Sequence, residues 1–312
     1  MTHLTYAEAM VVGLIQGVTE LFPVSSLGHN VLIPALIGGS WAQDLNVSKP
    51  ESPYLAFIVG LHVATALAMI IYFWRDWLRI VGGFFSSLRD RQISTADQRL
   101  AWLIITATIP VGIAGLLLEH LFRVVFSKPI LTALFLTVNG IILFTAERLR
   151  GRSDATSADG GARDAAPPLG RQEETEAGVL ADRRLATMGF KQVVLLGASQ
   201  ILALLPGISR DGMVTVTGMF RGLSRADAAR FSFLLSAPVI LAAGALKIPD
   251  LLGPLGNGIR GQVLAGSVLA FIGAYLSVRF LVRYFSKSRT LTPFAIYCVV
   301  AGLGSLIYLV IR

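Results

Sequence analysis

Residues 16–30 of this 312-residue chain, QGVTELFPVSSLGHN, set a carboxylate (Glu20), two hydroxyls (Ser25, Ser26), an amide (Gln16) and an imidazole (His29) inside otherwise apolar sequence. Glu20 follows Gln16 by one helical turn, so the two share a face. Glu20 reads as a general base or as a ligand for a divalent cation, with a salt bridge as the structural alternative. An imidazole titrates near neutrality, so His29 placed shortly after Ser26 suits nucleophilic or general-acid work. Pro23 and Gly28 are expected to break any helix through the stretch, because proline lacks an N–H and glycine frees the backbone. The amides released by such a break could receive an anion.

A second stretch, LLPGISRDGMVTVTG from 204 to 218, adds Ser209, Arg210 and Asp211. The Arg210 guanidinium is permanently charged and its fork matches phosphate oxygens. It sits beside Pro206, Gly207 and Ser209, where a helix start would aim further amides inward. Asp211 could pair with Arg210, orient it or help to hold a metal. A carboxylate, an imidazole, hydroxyls and an arginine together point to phosphoryl chemistry on a membrane-embedded substrate. His62, close to Thr65 in an apolar run, reads as an interhelical hydrogen-bonding group and not as part of this site.

The elements that must carry these residues are apolar. The chain is 54% hydrophobic and 15% charged, with a mean hydropathy of +0.67, whereas soluble domains carry about 25% charged residues. Six apolar runs, Tyr54–Trp74, Leu100–Leu118, Ile130–Ala146, Ala226–Leu246, Gly261–Val282 and Pro293–Ile311, approach the roughly 17–25 residues that cross a hydrocarbon core. No alternating short-strand pattern of a barrel is present, so the spans should be helices. The arms of the two broken stretches are too short to span and read as re-entrant hairpins. The expected fold is therefore an all-α integral membrane protein with six transmembrane helices plus two re-entrant helical hairpins, arranged as an inverted-topology repeat. GLIQGVTELFPVSS and GASQILALLPGIS, which share the order Gly, Gln, apolar residues, Pro, Ser, support the repeat.

The expected organisation is a first repeat over 1–147, a flexible cytoplasmic linker over 148–188 and a second repeat over 189–312. The stretch 150–182 has almost no large apolar residue, which is why it reads as a linker. Most of the 27 Lys and Arg residues fall in connections on one side of the spans, and the basic side is cytoplasmic. On that topology both termini and the mouth of the first hairpin face outward, while the second hairpin enters from the cytoplasm. The net charge of +8 follows these loops, so no nucleic-acid partner is expected. Cys298, the single cysteine, reads as a small buried residue. The N-terminal stretch has no basic lead-in or small-residue cleavage site, so no removable signal peptide is expected.

With both motifs in view, the chain resembles the undecaprenyl-diphosphate phosphatase family, also called the bacitracin-resistance protein family. The resemblance is carried by QGVTELFPVSSLGH (16–29) and PGISRDG (206–212). It implies hydrolysis of undecaprenyl diphosphate to undecaprenyl phosphate and inorganic phosphate, which recycles the lipid carrier of cell-wall synthesis. It implies a place in the bacterial inner or plasma membrane, with the active site open to the extracytoplasmic side. By position it implies catalytic roles for Glu20, Ser26, His29 and Arg210, and substrate binding by Gln16, Ser25, Ser209 and Asp211. A divalent cation, Mg²⁺ or Ca²⁺, with Glu20 as ligand, is the family expectation. Gln16 stands where the family more often has an acid, which weakens any two-carboxylate metal site; Leu27, Asp211 and Val214 replace a usual threonine, serine and threonine. The partner implied is a polyprenyl diphosphate lipid; the oligomeric state, a homo-oligomer included, is left open. Ser26 and His29 stand as alternative nucleophiles. A secondary transporter or flippase built on the same broken-helix plan is the alternative function.

Overall fold

The computed structural model describes residues 4–45, 53–121, 128–156, 171–253, 256–287 and 289–311, and every regular element among them is helical. Helix α1 (Tyr6–Leu21) opens on a capping box, in which the Glu8 amide donates to the Thr5 hydroxyl at 3.2 Å and the Thr5 amide to the Glu8 carboxylate at 2.8 Å, satisfying two otherwise orphaned donors. It ends just before Pro23, and α2 (Ser26–Ile37) and the short α3 (Gly39–Asp44) follow. Next come α4 (Pro53–Tyr72), α5 (Trp74–Asp90), α6 (Ala96–Leu121) and α7 (Pro129–Thr156). Helices α8 (Arg171–Leu185) and α9 (Phe190–Ser199) lead into a 3₁₀ turn at Gln200–Leu204. After the second break run α10 (Arg210–Phe220), α11 (Arg225–Leu252), α12 (Arg260–Ser286) and α13 (Thr292–Ile311).

The six apolar runs of the sequence correspond to α4, α6, α7, α11, α12 and α13. Among the described residues five helices are by themselves long and apolar enough to cross a bilayer, and up to seven spans result if each of two bent pairs counts as one. The chain is an all-helical, multi-pass membrane protein. One element went unforeseen: α5 turns 88° from α4, in a segment that the basic residues alone suggested was a connection. Its Leu78, Val81, Phe85 and Leu88 recur at helical spacing and are exposed, while Ile80 and Gly83 are buried.

Helix α1 lies along α12, α7 along α13, and α4 against both α11 and α12. The first of these crossings needs small residues. A Cβ on Gly13 would fall 2.2 Å from the Gly266 carbonyl oxygen, and one on Gly17 would fall 2.3 Å from that of Ala270. Such backbone contact is how helices associate where lipid removes the hydrophobic drive between them. The core around Leu103, Leu136, Leu143, Phe231 and Leu234 is closed to solvent.

Helix is present at both ends of the segment 148–188, where the sequence suggested a linker; residues 157–170 lie outside the described residues. The reason is visible in α8. Its buried Asp182 accepts from Arg79 of α5 at 2.6 Å and from Arg230 of α11 at 2.8 Å, and Arg184 forks onto Asp227 at 2.6 and 2.9 Å. Composition registers the lack of apolar surface in such a segment but carries no sign of distant ionic partners.

Candidate active site

Two breaks meet at the centre of the molecule. The first places Ser25 at φ 68°, ψ 97°, a region uncommon for a residue with a side chain and a sign of local strain held by its surroundings. The Ser25 hydroxyl caps α2 by accepting from the Gly28 amide at 3.2 Å, and it accepts from the Gly207 amide of the second break at 3.1 Å. Gly28 therefore does not break a helix as expected; it lies in the first turn of α2. Its smallness is used for close approach, since a Cβ there would fall 2.9 Å from the Gly207 Cα. Gly207 itself has φ +111° and no room for a side chain, with the Thr132 carbonyl oxygen 2.5 Å from where a Cβ would be.

The second break ends at Ser209, whose hydroxyl caps α10 by accepting from the Gly212 amide at 3.1 Å. Asn139 of α7 clamps the two breaks together: its Nδ2 donates to the Pro23 carbonyl at 3.0 Å and its Oδ1 accepts from the Ser209 amide at 3.0 Å. The sequence reading passed over Asn139. Its signal was a lone primary amide inside an apolar run, which seeks partners within the protein because lipid supplies none.

Helices α2 and α10 thus both begin at this point, with Ser26 and Arg210 as their first residues, and their N-terminal dipoles and amides face one place. At its centre is the Glu20 carboxylate. Arg210 Nη2 donates to Oε1 at 2.7 Å; Ser26 Oγ and Gln16 Nε2 donate to Oε2 at 2.5 and 2.7 Å. Gln16 is held in turn by Asn30, whose Nδ2 donates to its Oε1 at 2.6 Å. Gln16, Glu20, Ser26 and Arg210 therefore form one network across both breaks. The bond to Glu20 uses one of the several N–H donors of the guanidinium.

The other expected residues are placed differently. His29 Nδ1 lies 2.7 Å from the Ser25 carbonyl oxygen, and Nε2 lies 2.7 Å from the Tyr297 hydroxyl of α13. A carbonyl only accepts, so Nδ1 carries the hydrogen and Tyr297 donates to Nε2 of the neutral ring. Ser25 and Ser209 turn their oxygens to backbone amides. Asp211 Oδ1 accepts from Ser232 and Ser236 of α11, both at 2.7 Å, and stands 3.9 Å from Arg210 Nε; its carboxylate faces α11 and not Glu20.

His62 was read as interhelical, yet it reaches the centre. Its Nδ1 lies 2.8 Å from its own helix's Ile58 carbonyl oxygen, and its Nε2 is 3.4 Å from Glu20 Oε2. Thr65 donates to the backbone carbonyl of His62 at 2.7 Å and makes no interhelical bond through it. The side chains grow more open from Glu20 (4% exposed) through Arg210 (16%) to His62 (25%), so the network opens on the His62 side. His62→Ala is expected to lower turnover about tenfold, the scale of one contact to a charged group, with thermal stability nearly unchanged because the side chain is partly open. Steady-state turnover and a melting curve on the same preparation check this.

The donor set is poor for a hard divalent cation, which takes several oxygen ligands. Glu20 is the one carboxylate of the network and both its oxygens are engaged. Among the described residues no group of three or more His, Cys, Asp or Glu side chains is close enough to hold a metal. A hydroxyl bonded to a carboxylate, beside an arginine and two helix starts, can do something else: lose its proton while an anion is held next to it.

Known proteins match the chain over nearly its whole length. The profile of the family described as "Bacitracin resistance protein BacA" matches residues 9–304. The "Undecaprenyl-diphosphatase" of Mycolicibacterium paratuberculosis is 63% identical over 310 residues, covering 99% of each chain. That of Mycobacterium avium is 62% identical over 310 residues with the same coverage. The "Undecaprenyl-diphosphatase 2" of Frankia alni is 52% identical over 339 residues, covering 97% of each chain.

Proposed function

The chain belongs to the bacitracin resistance protein BacA family, and from that premise and the Glu20 network we infer that it is an undecaprenyl-diphosphate phosphatase. It hydrolyses undecaprenyl diphosphate to undecaprenyl phosphate and inorganic phosphate. The observation that carries the chemistry is the 2.5 Å bond from Ser26 Oγ to Glu20 Oε2. It supports Ser26 as the nucleophile and Glu20 as the base in this reading, over the His29 alternative that motif spacing left open.

In this scheme Arg210, with the amides at the starts of α2 and α10, holds the diphosphate. Ser26 Oγ attacks the terminal phosphorus and passes its proton to Glu20. The bond from that phosphorus to the bridging oxygen breaks, and undecaprenyl phosphate leaves with the electron pair. Water then attacks the phosphoserine, His29 taking the water proton once its Nε2 parts from Tyr297. Inorganic phosphate departs, Ser26 recovers its proton from Glu20, and His29 releases the water proton to solvent. No step runs through a metal; a divalent cation, Mg²⁺ or Ca²⁺, would belong to this reading only as a counterion of the diphosphate, since both Glu20 oxygens are already engaged. Gln16 positions Glu20, while Ser25, Ser209 and Asp211 support the substrate site through the two hairpin caps and the α10–α11 contact.

The same reading places the chain in the bacterial plasma membrane as an inverted repeat of six spans and two re-entrant hairpins, 1–147 and 189–312. The site would open to the extracytoplasmic side. The two broken segments that meet at Asn139, and the basic residues gathered on one side of the spans, support it.

The test is phosphate release from undecaprenyl diphosphate by the purified protein in detergent, with and without EDTA. Release is expected in both conditions, slower with the chelator as the diphosphate loses its counterion. Transfer of labelled lipid across vesicles without phosphate release would overturn the enzyme reading in favour of a carrier.

A further inference from the structure

At the C-terminal end of α12, two ladders of side chains run side by side. Arg279, Arg283 and Lys287 recur every fourth residue, and so do Leu276, Phe280 and Tyr284. With Arg289 from the turn into α13 they line a cavity of about 340 Å³. Four of its seven lining residues are cationic and none is acidic. The aromatic side is built and not left to chance. Tyr284 donates to the Thr290 carbonyl at 2.9 Å, the Arg289 guanidinium lies 5.6 Å from its ring centre, and Phe280 stacks between Tyr284 at 5.7 Å and Phe22 at 5.8 Å.

The pocket is also amphiphilic along the helix. Its cations gather at the end of a membrane-crossing helix, while Leu276 and Phe280, 58% and 51% exposed, continue the same stripe toward the apolar depth. A soluble anion would use the first part and leave the second bare. We propose that this pocket binds an anionic phospholipid of the basic-side leaflet, its phosphodiester among Arg279, Arg283, Lys287 and Arg289 and its chains along Leu276 and Phe280. Basic pockets at the ends of membrane helices recognise lipid headgroups in this way. The site is separate from the Glu20 network, so the proposal holds whatever reaction that network runs.

The full-length protein in neutral detergent is titrated with phosphatidylglycerol, with phosphatidylcholine and with glycerol 3-phosphate, and bound ligand is counted by native mass spectrometry. Phosphatidylglycerol is expected to bind and to raise the melting temperature, and the other two are not. The double variant Arg279→Gln, Lys287→Gln is expected to weaken phosphatidylglycerol binding roughly tenfold, and Arg89→Gln, Arg91→Gln on α5 to leave it unchanged. Both variants should keep wild-type phosphate release, which shows that they fold. Equal weakening in both variants would overturn the proposal in favour of diffuse charge attraction, and unchanged binding in the α12 variant would overturn it outright. Glycerol 3-phosphate binding as tightly as the lipid would make this a soluble-phosphate site and overturn the lipid assignment.

Discussion

Ser26→Ala is expected to reduce phosphate release to background while the protein keeps its fold and still binds the lipid. The hydroxyl donates to Glu20 Oε2, but the alanine variant leaves the Arg210–Glu20 pair at 2.7 Å intact, so the melting temperature should stay within a few degrees. Glu20→Gln should lower turnover by about 10²–10⁴-fold, the range of a positioned general base. It should also destabilise the protein by about 3–5 kcal/mol, because it leaves the largely buried Arg210 charge without its partner. If the two residues act as one unit, the double variant will be no slower than Ser26→Ala, since residues that share a step are not additive in their losses. Measuring turnover and lipid binding for all three separates chemistry from folding. Turnover near wild type in Ser26→Ala would remove the serine nucleophile and return that role to His29 or to water.

Asn139→Ala is expected to have the next largest effect, although the residue touches neither Glu20 nor Arg210 in the recorded bonds. Its amide is fully buried and holds the Pro23 carbonyl and the Ser209 amide at 3.0 Å each. Alanine leaves the Ser209 amide without a partner and the Pro23 carbonyl with only the weak Cys298 thiol donor at 3.7 Å, at up to about 1–3 kcal/mol apiece. The larger consequence is geometric. Without the clamp the two breaks drift, Arg210 and Ser26 lose their common centre, and displacement on the order of 1 Å costs about 10²-fold in rate. Asn139→Asp should rescue little: it keeps the acceptor for Ser209 but sets a carboxylate against the Pro23 carbonyl. Turnover and melting temperature report both effects, and wild-type activity in Asn139→Ala would show that the hairpins hold their relation without it.

These two predictions differ in how far the sequence alone could have made them. Glu20, Ser26 and Arg210 could be named from residue type and spacing, because an ionisable group in an apolar run needs a reason to be there. The six apolar runs and the helical character of the chain were legible for the same cause: a backbone in lipid must satisfy its own hydrogen bonds, and uninterrupted apolar sequence does so as helix. A helix start near Arg210 followed from local chemistry too, although its cap, Ser209, was expected to bind substrate.

What only the tertiary structure decided is which of these polar groups face one another. His29 has the right residue type and spacing, yet α13 supplies Tyr297, whose hydroxyl lies 2.7 Å from its Nε2. Asp211 adjoins Arg210 in the chain but bonds to Ser232 and Ser236 on α11. His62, read as an interhelical hydrogen-bonding group, and Asn139, passed over in the sequence, reach Glu20 and the two breaks because α4 and α7 carry them there. Asp182, in a segment too poor in apolar residues to suggest a fold, finds two arginines far away in the chain. Sequence determines locally what must be helix, what must break and what cannot be left in lipid without a partner. The choice of partner is made by helices that meet only when the whole bundle packs, and no local pattern encodes that meeting.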